Sequence, residues 1–354
     1  MSEPRGAGGP SPIDDRSAAA LIPERPARGH KGTFGKLLVI AGSLDYAGAA
    51  LLVCRAAGRA GAGLVTLAVP ESLQPLFAAK VEEATTMALP EDDVEEVDPE
   101  PALAKVLDHD HDALVIGPGL RASLANGDLV RGILAVGGDP DPAPAVVDAE
   151  ALRSLAAEDG WWEGIRRRAV LTPHTGEFAR LRAASGVESG ADGDLLDDDA
   201  ARAAAAGDAA RTWGQVIVLK GARTVVAGPD GSVAVATFEN PALATGGTGD
   251  VLAGTIGALL AQGLTPYDAA RLGVHLHGAA GEAVRSRIGD AGLLATDLPL
   301  EIALARRRLH DIADRERRGR RIGFGAHGPH GGGPAGTDAS ASSGDAQDPT
   351  PSGA

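Results

Sequence analysis

The stretch Asn240–Gly254, with the sequence NPALATGGTGDVLAG, is the part of this chain that decides its fold and chemistry. Its glycines and threonines lead directly to Asp250, and the apolar residues that follow have helical spacing. Glycine accepts positive φ angles, so successive N–H groups can turn toward one point, where the positive end of the helix dipole reinforces them. The pattern therefore predicts an anion-binding turn at a helix N-terminus, most often one that binds phosphate.

Asp250 is the unexpected residue in such a turn. A carboxylate repels phosphate, but it can accept a proton from a hydroxyl group beside it, so we interpret Asp250 as a candidate general base. The alternative is a purely structural loop in which Asp250 caps the helix. The motifs elsewhere in the chain favour the first interpretation.

The composition predicts a soluble, cytoplasmic protein. Only 3% of the 354 residues are aromatic, so the core must consist mainly of Ala, Val and Leu. The single cysteine, Cys54, excludes an internal disulfide, and we interpret it as a small core residue. No apolar stretch reaches the roughly 18 residues of a membrane helix, and the first residues lack a signal-peptide core. The net charge of −15 disfavours nucleic acid and anionic membranes as partners.

Both ends of the chain mix Gly, Pro, Ser and charged residues without periodicity. We predict a disordered N-terminal tail at residues 1–21, a disordered C-terminal tail at residues 323–354, and one domain at residues 22–322. The histidines of the C-terminal tail, His327 and His330, are not expected to form a metal site.

Within the domain, short apolar runs alternate with amphipathic segments. The predicted strands are Lys36–Ala41, Leu64–Val69, Thr85–Leu89, Ala113–Ile116, Ala145–Asp148, Ala169–Thr172 and Gln215–Leu219. The predicted helices are Ala49–Ala60, Ala102–Leu107, Leu129–Ala135, Glu150–Ala156, Gly176–Ala184 and Ala200–Trp213. This alternation implies right-handed crossovers and an α/β fold with a mainly parallel sheet covered on both faces.

After Lys220 the pattern changes. Thr224–Ala227 and Val233–Thr237 flank GPDGS, which predicts a β-hairpin. Three further helices are predicted at Val251–Gln262, Pro266–Arg287 and Leu298–Arg308.

Polar and glycine-rich clusters follow four of the predicted strands. They are Ala41–Ser43, Gly117–Gly119, Thr172–Glu177 and Lys220–Thr224. Ligands of doubly wound sheets bind beyond the carboxyl ends of the strands, so these distant segments are expected to meet at one edge of the sheet.

Each cluster has a functional and a structural interpretation. Gly117–Gly119 either lets a ligand approach the backbone or forms a tight turn. His174 either donates to a ligand or caps the next helix, and taken alone the cap is favoured. Glu177 either supports a metal or water network or complements the helix dipole. Lys220 is the only lysine in the second half of the chain. Together, the residues from Lys220 to Thr224 offer a cation, N–H groups and a hydroxyl, which are the groups that bind a nucleotide phosphate.

Three other groups invite a functional interpretation. The loop His30–Lys36 is either a basic loop that closes on an anionic substrate, which we favour, or a solvated entry loop. His109 and His111 are predicted to lie in a surface turn, and His275 and His277, two apart on a helix, are not expected to form a zinc pair.

Taken in order, these motifs resemble the ADP-dependent NAD(P)H-hydrate dehydratases of the ribokinase-like superfamily. The resemblance rests on HKGTFGKLLVIAGS (30–43), GAALLVCRAAGRAGAGLVTLAVP (48–70), VIGPGL (115–120), LTPHTGEFARL (171–181), VLKGARTVV (218–226) and NPALATGGTGDVLAGTIGALLAQG (240–263). It implies a three-layer α/β/α sandwich. It also implies a repair reaction, in which the S epimer of hydrated NADH or NADPH (NADHX or NADPHX) is dehydrated while ADP becomes AMP and phosphate, usually with Mg²⁺.

The resemblance also implies roles for individual residues. Ala49, Gly119, His174 and Asp250 would contact the hydrated nicotinamide substrate. The adenine nucleotide would be bound by Lys220, Gly221, Ala222, Arg223, Thr224 and Gly249. Family members are often homotetramers, and many carry an N-terminal epimerase domain; here a short tail precedes the first predicted strand, so a separate epimerase chain is expected.

Two other functions fit the same motifs. A ribokinase-like kinase of a small alcohol, such as a vitamin precursor, would use the same base and anion site but leave its product phosphorylated. A nucleotide-sensing protein without turnover would need the nucleotide site but not the base.

Overall fold

A ten-stranded sheet forms the centre of the computed structural model, which describes residues 9–92, 96–186 and 198–323, with side chains up to residue 318. The strands are β1 (Ser11–Ile13), β2 (Lys36–Ile40), β3 (Leu64–Pro70), β4 (Thr85–Leu89), β5 (Ala113–Ile116), β6 (Ala145–Val147), β7 (Ala169–Leu171), β8 (Val216–Leu219), β9 (Val225–Ala227) and β10 (Val233–Ala236). The helices are α1 (Asp15–Ala19), α2 (Ala47–Ala60), α3 (Gln74–Ala78), α4 (Pro99–Asp108), α5 (Leu124–Ala135), α6 (Glu150–Leu155), α7 (Thr175–Ala184), α8 (Asp199–Trp213), α9 (Thr248–Ala261), α10 (Pro266–Ile288) and α11 (Leu298–Gly323).

The strand order is β1-β10-β9-β8-β7-β6-β5-β2-β3-β4. β9 is antiparallel to both of its neighbours, as the predicted hairpin requires, and the other pairs are parallel. From β2 the chain adds strands on one side, through β3 and β4, and from β5 onward on the other side. The switch point of this topology therefore lies between β2 and β5, where the N–H of Gly42 donates to the carbonyl oxygen of Pro118 at 2.8 Å.

Alternate residues of the central strands feed two separate cores. Leu37 and Val39 pack on one face of the sheet, with α2, α9 and α10, whereas Leu38 and Ile40 pack on the other, with α5, α6 and α8. This alternation follows from the two-residue period of a strand, and both faces are buried, as in other parallel sheets. The predicted three-layer α/β/α sandwich is confirmed.

The N-terminal end departs from the predicted tail. Residues 11–19 form β1 and α1, β1 pairs in parallel with β10, and Ile13 is 1% exposed. The Asp14 side chain accepts from the Ser17 N–H at 2.8 Å and starts α1. The prediction of a tail over residues 1–21 is wrong for this part. Only one of the three residues of β1, Ile13, is both apolar and buried, so the segment does not show the apolar run of a strand.

The chain divides into a unit of residues 1–314 and a unit of residues 315–354. The first holds the whole sheet, and α11 runs to Gly323, beyond its predicted end at Arg308. The predicted C-terminal tail lies outside the described residues, apart from Gly323. No described helix combines the length and apolarity needed to cross a bilayer.

Candidate active site

The turn before α9 is built from glycines, as predicted, and its cap is Gly247. Gly247 has a φ of 89° and no side chain to cap with, and α9 begins at Thr248. Asp250 therefore lies inside the first helical turn, so the interpretation of Asp250 as the helix cap is wrong. The Thr248 hydroxyl lies 2.8 Å from the carbonyl oxygen of Leu243 and 2.9 Å from that of Thr245, which ties the turn to the preceding loop.

His277, on α10, forms a hydrogen bond with the backbone of the same turn. Its Nε2 is 2.9 Å from the carbonyl oxygen of Thr248, so Nε2 carries the proton and donates. Burial lowers the pKa of His277 to about 4, despite this hydrogen bond. The ring is therefore a neutral donor at physiological pH and acts on the backbone of the turn.

Lys220 stands at the carboxyl end of β8 among three acidic side chains. Its Nζ is 2.8 Å from Oδ1 of Asp148 and 4.0 Å from Oε2 of Glu177. Burial would lower the pKa of Lys220, but the charges of Asp148, Glu177 and Asp250 outweigh it and raise this pKa. Lys220 is thus a fixed cation at this edge of the sheet.

Gly249 brings the glycine turn to this cation. A Cβ on Gly249 would lie 3.5 Å from Nζ of Lys220 and 3.9 Å from Oδ2 of Asp148. Asp250, the next residue, is largely buried, and this burial with the nearby charge of Asp148 raises its pKa from 3.8 to about 7, although Lys220 opposes the shift. A carboxyl with such a pKa can accept a proton near neutral pH.

His174 and Glu177 form a reciprocal cap at the start of α7. Nδ1 of His174 accepts from the Gly176 and Glu177 N–H groups at 3.1 and 3.3 Å, and Glu177 accepts from the His174 N–H at 2.9 Å. The structural interpretation of His174 is therefore confirmed. Since Nδ1 accepts, the ring proton lies on Nε2, which is 3.5 Å from Oε1 of Glu177; the His174 side chain is 56% exposed.

Ala49 and Gly119 meet at the switch point of the sheet. Gly119 has a φ of 67°, and a Cβ there would lie 2.8 Å from Cβ of Ala49 and 2.7 Å from the carbonyl oxygen of Tyr46. Gly247 reaches the same helix, because a Cβ on it would lie 2.7 Å from Leu52, one turn beyond Ala49. The two halves of the predicted site thus share α2 as a wall.

The buried side chain of Arg202 forms hydrogen bonds with the loop after β8. This arginine is 1% exposed and donates to the carbonyl oxygens of Leu219 at 3.2 Å and Arg223 at 3.0 Å. Gly221 has no room for a side chain, since a Cβ would lie 2.2 Å from the Arg202 guanidinium. Arg202 was not expected as part of the site, because a helical arginine carries no such signal in the sequence.

Gly221, Ala222 and Thr224 line a small cavity of about 50 Å³. Asn240, Phe238 and His277 form other parts of its wall. Arg223 lies outside the cavity lining, half exposed, with Asp199 and Glu239 each at 3.8 Å. A cavity of about 430 Å³ lies elsewhere, along the far end of α2, and it contains none of the predicted site residues.

Asp148 is the residue that sequence analysis missed. It follows β6 directly, is 2% exposed, and was interpreted as the end of a strand. The next residue, Ala149, is the only described non-glycine residue with a positive φ, 51°. This backbone strain lies next to a buried acid, and it is not visible in the sequence.

Other candidate groups lie apart from this cluster. The loop His30–Lys36 includes a 3₁₀ helix and ends at the amino end of β2, where Lys36 pairs with Asp110. It therefore stands at the opposite edge of the sheet from Lys220, against our functional interpretation. Nδ1 of His111 donates to the carbonyl oxygen of His109 at 2.6 Å. Cys54 is buried, and this burial raises the pKa of its thiol to about 12.

No group of three or more His, Cys, Asp or Glu side chains that could hold a metal is present among the described residues. His275 and His277 have different partners, Asp15 for the first and Thr248 for the second. Magnesium, however, usually binds one or two carboxylates together with substrate phosphates, so it needs no such group.

Several known proteins that this chain resembles act in NAD(P)H-hydrate repair according to their names. A family model described as NAD(P)H-hydrate dehydratase matches residues 37–303. The chain is 43% identical over 279 residues to the bifunctional NAD(P)H-hydrate repair enzyme Nnr of Moorella thermoacetica, a match that covers 78% of this chain and 50% of that protein. The chain thus spans about half the length of the bifunctional relatives that it matches.

Shorter relatives are matched over most of their length. The ADP-dependent (S)-NAD(P)H-hydrate dehydratase of Neisseria meningitidis is 37% identical over 272 residues, which cover 76% of this chain and 84% of that protein. Among solved structures, the ADP/ATP-dependent NAD(P)H-hydrate dehydratase of Bacillus subtilis, co-crystallised with ATP and Mg²⁺, has a TM-score of 0.70 and 32% identity, and covers 86% of this chain and 100% of that one.

Proposed function

Since the chain belongs to the NAD(P)H-hydrate dehydratase family, we propose that it dehydrates the S epimer of hydrated NADH or NADPH and converts ADP to AMP and phosphate. The fold is the ribokinase-like sandwich. The observation that carries the proposal is Asp250, a largely buried carboxyl with a pKa of about 7, one residue after a glycine that adjoins Lys220. A base and a phosphate-binding cation side by side suit a reaction that activates a hydroxyl with phosphate.

The chemistry follows from the poor leaving ability of hydroxide. Asp250 accepts the proton of the ring hydroxyl, the hydroxyl oxygen attacks the terminal phosphorus of ADP, and the bond from that phosphorus to the AMP oxygen breaks. The ring nitrogen then supplies the electron pair that expels phosphate, and loss of a proton from the adjacent ring carbon restores the dihydropyridine. Lys220 and the N–H groups of Gly246–Gly249 stabilise the charge on the transferring phosphoryl oxygens.

We assign the two ligands to the two halves of this edge. Ala49, Gly119, His174 and Asp250 are proposed to bind the hydrated nicotinamide. The proposed nucleotide-binding residues are Lys220, Gly221, Ala222, Arg223, Thr224 and Gly249. Support comes from the contacts of Gly119 with Ala49 and of Gly249 with Lys220, and from the small cavity lined by Gly221, Ala222 and Thr224.

Magnesium is proposed to accompany the nucleotide, as in the name of the Bacillus subtilis structure. Glu177 fits this role, because its carboxylate supplies hard oxygen donors within 4.0 Å of the Lys220 ammonium that is proposed to meet the phosphates. Bound there with phosphate oxygens, magnesium would supply neutralisation of their charge. The homotetramer stays a prediction of the family resemblance, and the cytoplasmic location stays a prediction of the composition.

A recovery assay tests the proposal. The protein is incubated with hydrated NADH, ADP and Mg²⁺, and the absorbance of the reduced nicotinamide is followed; we expect recovery with stoichiometric AMP and phosphate. Asp250→Asn should abolish turnover while ADP affinity, measured by calorimetry, stays within a few-fold of wild type, since only a proton acceptor is removed.

Two outcomes would contradict this function. Lack of recovery with both ADP and ATP would refute the dehydratase, and a stably phosphorylated small alcohol would instead indicate the kinase. If the recovery rate of Asp250→Asn equals that of wild type, Asp250 is not the general base. A biological effect without any turnover would indicate the nucleotide-sensing protein.

A further inference from the structure

The loops beside the switch point hold large apolar side chains in solvent. Leu44 is 71% exposed and Tyr46 is 60% exposed in the loop between β2 and α2, and Leu124 is 86% exposed where α5 begins after β5. The chain has only two tyrosines. Tyr46 is one of these two, and its aromatic side chain is mostly exposed to solvent beside the candidate site.

Tyr46 is fixed against the proposed substrate-binding residues. Its carbonyl oxygen accepts from the Ala49 N–H at 3.2 Å. A Cβ on Gly119 would lie 2.7 Å from that oxygen and 3.1 Å from Cβ of Tyr46. Tyr46 is thus a neighbour of both Ala49 and Gly119, at the outer side of the switch point.

Arg121 is the nearest cation along the same loop, two residues after Gly119. Its side chain is exposed, and its guanidinium has no ion pair or hydrogen bond with another described residue, unlike Arg223, which lies between Asp199 and Glu239. Its carbonyl oxygen accepts from Nδ2 of Asn126 at 2.8 Å, so the loop itself is held in place. In a chain of net charge −15, an unpaired arginine here is available to an anion.

The proposed substrate is longer than the part of it that reacts. If the hydrated ring contacts Asp250, the pyrophosphate and the adenosine must extend away from Asp250 toward the exposed loops beside the site. Nucleobases stack on aromatic side chains, and arginine binds phosphate oxygens with two parallel hydrogen bonds. We propose that Tyr46 stacks on the adenine of the hydrated dinucleotide and that Arg121 binds its pyrophosphate, an assignment that rests on the proposed function.

The test compares hydrated NADH with hydrated reduced nicotinamide mononucleotide, which lacks the adenylate half, at saturating ADP. Wild type should have the lower KM for the dinucleotide. Tyr46→Ala and Arg121→Ala should each raise the KM for the dinucleotide about tenfold, from the usual cost of a lost stacking or phosphate contact, with kcat retained. Tyr46→Ala should leave the KM for the mononucleotide unchanged, whereas Arg121→Ala should raise it as well, because the mononucleotide keeps one of the two phosphates. The KM for ADP should not change in either variant, and Tyr46→Phe should behave like wild type.

Matched controls come from the opposite edge of the sheet. Leu107→Ala, at the end of α4, and Arg59→Ala, at the end of α2, remove exposed side chains of similar kind and should leave both KM values unchanged. The proposal is overturned if Tyr46→Ala affects neither hydrate or affects both alike, or if Arg121→Ala affects neither. If wild type dehydrates neither hydrate, the proposed function itself fails, which is a different result.

Discussion

At the scale of single residues, the site depends on how three carboxylates share one ammonium group. Lys220 pairs directly with Asp148 and lies 4.0 Å from Glu177, so Asp250 receives only a smaller part of its stabilising charge. Burial and the charge of Asp148 then raise the pKa of Asp250 to about 7. The arrangement leaves Asp250 as the carboxyl that exchanges protons near neutrality.

The first prediction concerns the pH dependence of wild type. The base must be ionised, so kcat/KM for the hydrated cofactor should rise with pH and level off above about 7, the pKa of Asp250. The measurement is the recovery rate at subsaturating hydrated NADH across pH 5–9. An acid limb near pH 4 would contradict the raised pKa of Asp250.

The same shift predicts a pH effect on stability. The pKa of Asp250 is raised from 3.8 to about 7 in the folded state, so its stabilising contribution is complete below pH 3.8 and is lost as pH rises through 7. Asp250→Asn removes this loss. The melting temperature of Asp250→Asn minus that of wild type should therefore increase between pH 4 and pH 8. If this difference stays constant over the range, Asp250 does not ionise with a raised pKa in the folded state.

A third prediction concerns Asp148. Asp148→Asn removes a negative charge that raises the pKa of Asp250, so the acid limb of kcat/KM should move to lower pH. Lys220 also loses its 2.8 Å partner, so the KM for ADP should change as well. A control is Asp128→Asn, which removes an exposed acid paired with Arg131 and should move neither quantity.

Sequence alone could identify Asp250 and Lys220 but not Asp148. Asp250 and Gly249 are read from a local glycine motif, and Lys220 stands out because lysine is scarce. The Lys220–Asp148 pair joins residues 72 positions apart, and only the alignment of β6 with β8 across β7 brings them together. Long-range register is the information that a single sequence does not carry.

At the scale of elements, the close packing of α2 on α9 sets the width of the site. A Cβ on Gly254 would lie 2.3 Å from the carbonyl oxygen of Val53, so the two helices touch through backbone atoms. Ala49 and Gly247 stand at the near ends of these helices, as the contact of Gly247 with Leu52 indicates. Any separation of the helices would therefore alter the site.

This contact gives a matched pair of glycine substitutions. Gly254→Ala must push α2 from α9 and should cost about 1–3 kcal/mol of unfolding free energy. Gly58→Ala, in α2, meets nothing within 4 Å and should stabilise by about 0.5–1 kcal/mol, since alanine favours helix. Denaturant unfolding measures both, and equal effects of the two substitutions would contradict the packing argument.

Element type was predictable wherever an element is long enough to show its period. β2, β5 and β8 are buried on both faces and read as continuous apolar runs. β1 and α3 were missed. β1 has one buried apolar residue among its three, whereas β6 and β7 are as short but wholly apolar and buried, and the five residues of α3 show no period. α9 was predicted, but its true start at Thr248 depends on the backbone angles of Gly247.

At the scale of the whole molecule, the N-terminal segment extends the sheet and supports α10. Ile13 is buried, and its carbonyl oxygen lies 3.4 Å from Nδ1 of His275, whose Nε2 is 3.0 Å from Asp15. Two residues along α10, His277 holds the glycine turn of α9. A segment predicted to be a tail is therefore connected to the site through one helix.

The fifth prediction tests whether β1 belongs to the cooperative fold. Ile13→Ala should lower the unfolding free energy by about 2–5 kcal/mol, the usual cost of truncating a buried isoleucine, while Leu300→Ala, at an exposed position of α11, should change it by less than about 0.5 kcal/mol. Denaturant unfolding is the measurement. Equal stability of Ile13→Ala and wild type would show that β1 is not part of the cooperative fold.

Arg202 has a consequence for the entropy of nucleotide capture. Its guanidinium fixes the carbonyl groups on both sides of Gly221, so the conformational freedom of the loop Lys220–Thr224 is already lost on folding, before any ADP arrives. Association then needs no ordering step, and the observed rate should rise linearly with ADP concentration. If this loop binds ADP as proposed, the buried arginine thus provides a preformed site, because the cost of ordering the loop is met while the chain folds.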